Sequence, residues 1–275
     1  MPHGTRIVVL PRFRVILTDG LGPEEPHAHL QAAAAVVLAP PARTYRVAGE
    51  AQILEPGRIL LVDPMTEHQA IAAPDGPQGG AVLGLLMDPA FVAERVAGIR
   101  GASAARPFGS TTAILNAALR ERAERLAAKI ADPASPDSAI DAAATEFAAG
   151  VLDAYAAPAP AGGPAFDYRI RRAIQAAADP RRMATVEDML AASELSRSRF
   201  FQLFRECTGL TPQMYIDAYA VEAAVDALTQ TSKPVARVAR ELGYGSPERF
   251  ARYVKRMTGV GPRDFRRAAI RIAGY

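Results

Sequence analysis

The chain has 275 residues, a formal net charge of +3, 49% hydrophobic residues and one cysteine. This length is enough for one large domain or two ordinary ones. No uninterrupted apolar run reaches the roughly 18 residues of a membrane span, and the N-terminus lacks the pattern of a secretory signal, so we expect a cytoplasmic protein. The single cysteine, Cys207, excludes an internal disulfide and fits a reducing compartment.

The basic residues are concentrated in the second half of the sequence. Residues 165–275 carry 19 Lys and Arg against 12 Asp and Glu, a formal charge of +7, whereas residues 1–164 carry −4. Because each neutralised phosphate releases condensed counterions, the basic half is expected to bind a polyanion and the acidic half is not.

Short β-rich runs separated by Pro and Gly turns fill the first 88 residues. Many short strands at close spacing predict an antiparallel β-barrel or jelly roll. The runs are residues 6–10, 13–17, 35–38, 45–47, 51–54, 59–62 and 81–87.

Helical periodicity follows the strands. We predict a helix over residues 89–98, a longer one capped by Thr111 or Thr112, and a third over residues 138–155. The last two carry apolar stripes, which either join two protomers or only cover the barrel. The Pro, Ala and Gly residues of 157–164 predict an exposed linker.

Two segments, 185–207 and 234–258, have the same pattern at an offset of 49 to 50 residues. Each predicts a short helix, a tight turn and a second helix with Arg on its outer side, which is a helix-turn-helix. Thr185, Ser196 and Thr211 are predicted helix caps. A connector helix of about 20 residues, roughly 30 Å long, separates the two motifs and spaces them for successive major grooves.

This doubled motif resembles the DNA-binding domain of the AraC/XylS family of bacterial transcription regulators. The resemblance covers residues 165–275. It implies double-stranded DNA as a partner, pairing into a homodimer through the preceding helices, and RNA polymerase as a further candidate partner. The residues that carry it are Leu195 to Phe200, Phe204, Arg205, Gly209 to Pro212, Val238, Ala239, Leu242 to Tyr244, Phe250, Arg252, Lys255, Gly259 to Pro262, Phe265 and Arg266.

The second helix of each motif carries the predicted DNA contacts. Gln pairs well with adenine, and the fork of Arg meets two acceptors of guanine. Matched to the family motif, the predicted base-reading residues are Ser198, Phe201, Gln202, Glu248, Arg249 and Arg252. The predicted phosphate contacts are Arg197, Arg199, Arg205, Lys255 and Arg256.

The N-terminal half has two segments that resemble cupin motifs. His27-Ala28-His29 resembles the first motif, and residues 54–68, which end at His68, resemble the second. In the AraC/XylS family such a barrel is a small-molecule sensor, so the three histidines are predicted ligand contacts. Three imidazoles could also hold Zn²⁺ or Fe²⁺, but the glutamate expected after His29 is absent, and we predict no resident cofactor.

The sequence therefore predicts an α+β multidomain protein. It comprises a cupin-like antiparallel barrel over residues 1–88, a helical dimerisation segment over 89–156, and an all-α domain with two helix-turn-helix motifs over 165–275. We predict a DNA-binding regulator that responds to a small-molecule effector and is not an enzyme. The alternative is a cupin metalloenzyme fused to a DNA-binding domain. A DNA-repair methyl acceptor would need a reactive cysteine in the N-terminal half, which has none.

Overall fold

The computed structural model describes residues 4–19, 24–71, 80–99, 101–158, 167–177 and 184–271. Its N-terminal part is rich in short strands. They are β1 (Arg6–Val9), β2 (Phe13–Thr18), β3 (Ala32–Val37), β4 (Arg43–Val47), β5 (Glu50–Leu54), β6 (Arg58–Val62), β7 (His68–Ile71), β8 (Val82–Met87) and β9 (Thr112–Ile114).

A last short strand near the C-terminus, β10 (Ala269–Arg271), joins the sheet formed by the N-terminal strands. The larger sheet has the order β10-β1-β2-β8-β3-β6-β9, and the smaller has the order β5-β4-β7. Neighbours are antiparallel except for the parallel pair β1 and β10. The predicted antiparallel architecture is confirmed, but the strands form two sheets and do not close into a barrel.

Three helices cover the larger sheet: α1 (Pro89–Val96), α2 (Ala117–Ala131) and α3 (Asp137–Tyr155). The apolar stripes of α2 and α3 are buried in one core with the strands, so within the chain they cover the sheet. The predicted cap at Thr111 or Thr112 is wrong. Thr112 lies in β9 opposite Leu60, and α2 is capped by Asn116, whose side chain accepts from the Leu119 amide.

The C-terminal part is helical, as predicted. Its helices are α4 (Tyr168–Ala177), α5 (Val186–Ser193), α6 (Arg197–Thr208), α7 (Pro212–Gln230), α8 (Val235–Glu241), α9 (Pro247–Thr258) and α10 (Pro262–Ala268). The two motifs therefore form α5-turn-α6 and α8-turn-α9, joined by α7. Most of the predicted linker, residues 159–164, lies outside the described residues.

Local signals in the sequence explain where these helices begin and end. Thr185 forms a capping box with Asp188, and the Thr211 side chain accepts from the Met214 amide. Gly209 and Gly259 end α6 and α9, the second helices of the two motifs, which we call the reading helices. Their φ angles of 74° and 76° lie in the left-handed region that glycine enters without strain. Ser196 occupies the predicted N-cap position of α6, but its side chain makes no capping hydrogen bond.

The two halves of the chain share apolar cores. Ile7 of β1 is fully buried in a cluster with residues of α7, α8, α9 and α10, including Phe265. Its neighbour Val8 points to the other face of the strand, into the core beneath α2 and α3. None of the described helices is both long enough and apolar enough to cross a membrane.

The alternation along β1 predicts different effects for two neighbouring substitutions. Ile7→Ala should lower the free energy of unfolding by about 2–5 kcal/mol, as expected for a buried Ile, and should speed hydrogen exchange in α7 to α10. Val8→Ala is the matched control, because it removes apolar atoms from the N-terminal core only. Hydrogen-exchange mass spectrometry measures both variants, and equal acceleration of α7 to α10 would contradict this packing.

Candidate DNA interface and effector cavity

The side chains predicted to contact DNA from the first motif lie mainly on the exposed face of α6. Phe200, Leu203 and Phe204 are buried against the motif's own core, which fixes the rotation of the helix. Phe201 is half-buried and packs against that core. The exposed predicted residues are Arg197, Ser198, Arg199, Gln202 and Arg205.

Neighbouring carboxylates occupy several polar groups of this face. Arg197 lies 3.2 Å from Glu187 and stacks 5.4 Å above the ring of Phe201. The Gln202 side-chain amide donates to Glu206 over 2.8 Å. These contacts are solvent-exposed and contribute little to stability, so breaking them has a small free-energy cost.

The second motif presents a more open basic face. Phe250, Tyr253 and Val254 of α9 are buried, while the predicted residues on the opposite side are exposed. Within the described part of the chain, the cations of this face form no ion pair with a carboxylate. The exposed residues are Glu248, Arg249, Arg252 and Lys255.

Arg256 differs from the other predicted phosphate contacts. Its guanidinium pairs with Asp217 of α7, and its side chain is 32% exposed. The Tyr253 hydroxyl donates to the Asp217 carbonyl over 2.8 Å. Burial raises the pKa of Asp217, whereas Arg256 and Gln213 favour its charged form. Sequence reasoning missed this link, in which Arg256 holds α9 against the connector helix.

A cavity of about 110 Å³ lies between the strands and the C-terminal helices. Its walls are mostly apolar residues of β3, β6 and β8. Met257 and Thr258 from the end of α9 and Phe265 from α10 also line it, so both halves of the chain contribute. Its polar lining includes Arg14, Glu24, Tyr45, His27, His29 and His68.

The histidines predicted from the cupin-like motifs come together, and we call them the three-histidine cluster: His27, His29 and His68. Residues 27 and 68 exchange backbone hydrogen bonds of 3.0 and 2.9 Å, which places the first segment beside β7. The ring centroids are 4.4 Å apart for His27 and His68, 4.7 Å for His29 and His68, and 6.3 Å for His27 and His29. Each residue is more than nine-tenths buried.

The hydrogen bonds of these rings fix their tautomers. Each Nδ1 lies 2.8–2.9 Å from a backbone carbonyl, of Glu25, Gln31 or Thr66. Because a carbonyl oxygen only accepts, each Nδ1 carries a hydrogen and each neutral ring keeps its lone pair on Nε2. Burial lowers the pKa of His29 to about 3 and that of His68 well below its usual range, and the proximity of His27 lowers the pKa of both further.

The cluster does not fit the metal centre that the cupin-like motifs would imply. Three imidazoles on one tetrahedral ion, with bonds of about 2.1 Å, would place their rings at similar separations, and these are unequal. Gln31 stands in the segment where the carboxylate ligand is expected. Among the described residues, no three His, Cys, Asp or Glu side chains are placed to hold a metal ion.

The segments that carry the cluster also contact the first helix-turn-helix motif. Ala28, between His27 and His29, is fully buried in the core that contains Phe200 and Phe204. Met65 packs against the same core. The Glu67 carboxylate lies 3.8 Å from Arg205 of α6. The cavity thus touches the second motif directly and adjoins the first through its histidine segments.

An ion pair joins the cavity to the connector helix. The Arg14 guanidinium of β2 donates to Glu222 of α7 over 2.8 Å, and its side chain is 10% exposed. Arg14 Nε and Glu222 Oε1 are buried without a hydrogen-bond partner in the described chain. Because removal of Glu222 would leave the buried Arg14 guanidinium without its ion-pair partner, this contact couples the cavity wall to α7.

The sequence matches known proteins over its C-terminal part. A family described as a helix-turn-helix domain matches residues 189–268. An AraC-like transcription regulator of Streptomyces antibioticus is 32% identical over 89 residues, 32% of this chain and 29% of that protein. The Escherichia coli arabinose operon regulatory protein is 30% identical over 105 residues, 38% and 36% of the two chains. The matched segment thus spans about a third of the length of these relatives.

The whole fold resembles that of a solved structure. ToxT of Vibrio cholerae superposes with a TM-score of 0.56 over 93% of this chain and 96% of its own, at 10% sequence identity. This likeness shows that the two proteins share an overall fold. The family match and these regulators show that residues 189–268 form a helix-turn-helix domain similar to that of AraC-like transcription regulators.

Proposed function

We propose that this chain is a cytoplasmic transcription regulator that binds double-stranded DNA and responds to a small-molecule effector. The observation that carries the proposal is the pair of exposed reading helices, α6 and α9, with cores that fix their outward faces. Their separation by the 19-residue α7, about 28 Å of helix, suits two successive major grooves. The proteins it matches are transcription regulators, which favours this role over an enzyme.

The second motif is proposed to supply the stronger base contacts. Arg249 and Arg252 are exposed on α9, and Arg252 lies one turn beyond Glu248. A bidentate Arg reads guanine because its fork meets O6 and N7 together. Lys255, nearer the end of the helix, suits a phosphate. On α6, Ser198 and Gln202 are the proposed base contacts, while Arg197, Arg199 and Arg205 are proposed to hold the backbone.

The effector is proposed to bind in the cavity shared by the two halves. ToxT, which has a similar fold, has been crystallised with an unsaturated fatty acid bound, and this supports small-molecule binding by a protein of this fold. A ligand that moved Arg14 or Phe265 would alter how the strands pack on the helices. The relative placement of α6 and α9 would then depend on occupancy, as a two-state regulator requires.

Two further partners stay predictions. The homodimer was expected from the apolar stripes of α2 and α3, but these residues are buried in the chain's own core. A second copy would therefore have to use other faces of the protein. Contact with RNA polymerase rests on the family resemblance alone.

Substitutions at Arg252 and Lys255 should separate base reading from phosphate contact. Arg252→Ala should cost about 1–3 kcal/mol on the preferred site and relax the preference at one base pair. Lys255→Ala should weaken all sequences similarly and reduce the salt slope by about one. The measurement is binding to a library of sites at several salt concentrations.

One result would contradict the assignment of Arg252 to base reading. If Arg252→Ala kept the preferred sequence and only flattened the salt dependence, Arg252 would be a phosphate contact. The proposed docking of α9 would then be wrong.

Charge and motif position predict which half of the chain binds DNA. Residues 165–275, with a formal charge of +7, should shift DNA in a gel at low salt, and residues 1–157 should not. The C-terminal fragment lacks Ile7 and should therefore be less stable than the same helices in the full chain. The cores of both motifs should stay largely intact. A shift by the N-terminal fragment alone would oppose the proposal.

A further inference from the structure

We propose that the three-histidine cluster recognises the effector and selects an uncharged, hydroxylated molecule. The inference rests on the proposed function and specifies the chemical class of ligand for its cavity. It starts from the mismatch between these side chains and a metal centre, after which the kind of ligand that the three buried rings contact is still to be specified.

The cluster presents hydrogen-bond acceptors to the cavity. Each Nδ1 hydrogen is already donated to a backbone carbonyl, so the remaining ring atom that can bond is Nε2, with its lone pair. The hydrogen bonds that the structure shows for these rings within the described residues all involve Nδ1. A hydroxyl group of a ligand in the cavity could donate a hydrogen bond to these lone pairs.

The charges around the cavity disfavour an anionic ligand. Arg14 is the one arginine or lysine among the described lining residues, and Glu222 already neutralises it at 2.8 Å. Glu24 adds a carboxylate to the same lining. A carboxylate ligand would therefore meet three lone pairs and find no unpaired cation in this lining. A cationic ligand would have to leave water for walls that are mostly apolar.

The size of the cavity narrows the class further. The cavity volume of about 110 Å³ is somewhat smaller than that of a cavity of about 150 Å³ that holds one benzene ring. A single hydroxylated ring or a short diol matches this space, with a small expansion for the ring. A long acyl chain does not fit without opening the contact between the two halves.

The position of the cluster explains how such a ligand would be sensed. Ala28, which lies between two of the rings, packs in the core of the first motif, and Met257 of α9 lines the same cavity. A hydroxyl that draws the rings together would move the backbone on which Ala28 sits. The chemistry of recognition is therefore placed next to both DNA-binding motifs.

The test compares ligands that share one ring and differ in the polar group. The probes are catechol, resorcinol, phenol, benzoate and benzylammonium, titrated into the full chain by calorimetry. A site built to donate or accept with a hydroxyl rejects analogues that lack it, so we expect the diols to bind at least about 10-fold more tightly than benzoate or benzylammonium. Equal or tighter binding of either charged probe would overturn the proposal.

Paired substitutions at His68 locate the contact. His68→Leu removes the acceptor and should reduce diol binding at least about 10-fold, whereas His68→Gln keeps an amide oxygen and should retain part of it. Equal loss in both variants would oppose the proposed contact. Circular dichroism and DNA binding of each variant report whether the protein remains folded.

A measurement on the unmodified protein keeps the test decisive if a variant fails to fold. In ¹⁵N spectra of the histidine rings, the diols should shift the Nε2 signals in the direction of hydrogen-bond acceptance and leave Nδ1 protonated. Unchanged Nε2 signals at saturation would overturn the proposal. So would stoichiometric binding of added Zn²⁺ to the same atoms, because the cluster would then be a metal site.

Parallel DNA-binding measurements separate this inference from the proposed function. If the full chain binds a preferred DNA sequence but no hydroxylated probe, the inference fails and the regulator role stands. If it shows no sequence preference in DNA, the proposed function fails, whatever the probes do.

Discussion

The packing of strand β1 between two cores is the contact on which the arrangement of the molecule depends. Ile7 is buried against the helices of the second motif, and Val8 is buried beneath α2 and α3. One four-residue strand therefore belongs to both halves of the chain. Because the two side chains point to opposite faces, neither half can shift relative to the other without exposing one of them.

This shared packing is the reason why a ligand in the cavity could regulate the protein. Its walls come from strands of the larger sheet and from the ends of α9 and α10, so a ligand contacts the same surfaces that hold the halves together. The ion pair of Arg14 and Glu222 adds a charged contact at this boundary. The proposed effector recognition and the proposed DNA binding would thus be linked by direct packing, without a long path through the protein.

The helices and the doubled motif could be predicted because their signals are local. Thr185, Thr211, Gly209 and Gly259 mark helix ends within a few residues of sequence, and the buried positions of α6 and α9 recur at three and four. Strands β7, β9 and β10 have only three or four residues and were missed, since so short a run carries no clear period. Closure into a barrel was also not predictable from strand patterns alone.

The candidate site was predicted in part for the same reason. The exposed faces of the reading helices follow from periodicity, and the cupin-like motifs brought His27, His29 and His68 to attention. Two features depend on contacts between distant residues and have no local signal. They are the pairing of Arg256 with Asp217, 39 positions away, and the sharing of the cavity with the C-terminal helices.

The parallel pairing of β1 with β10 also bears on how the protein is made. Ile7 lies opposite Ala269, so β1, which is synthesised early, gains this neighbour only after residues 269–271 have left the ribosome. Until then β1 is an edge strand with one unpaired side and an exposed Ile7 side chain, and such an edge can pair with a strand of another chain. Contacts so distant in sequence also form slowly. We therefore expect the nascent protein to depend on chaperones for its solubility more than its helical C-terminal part would suggest.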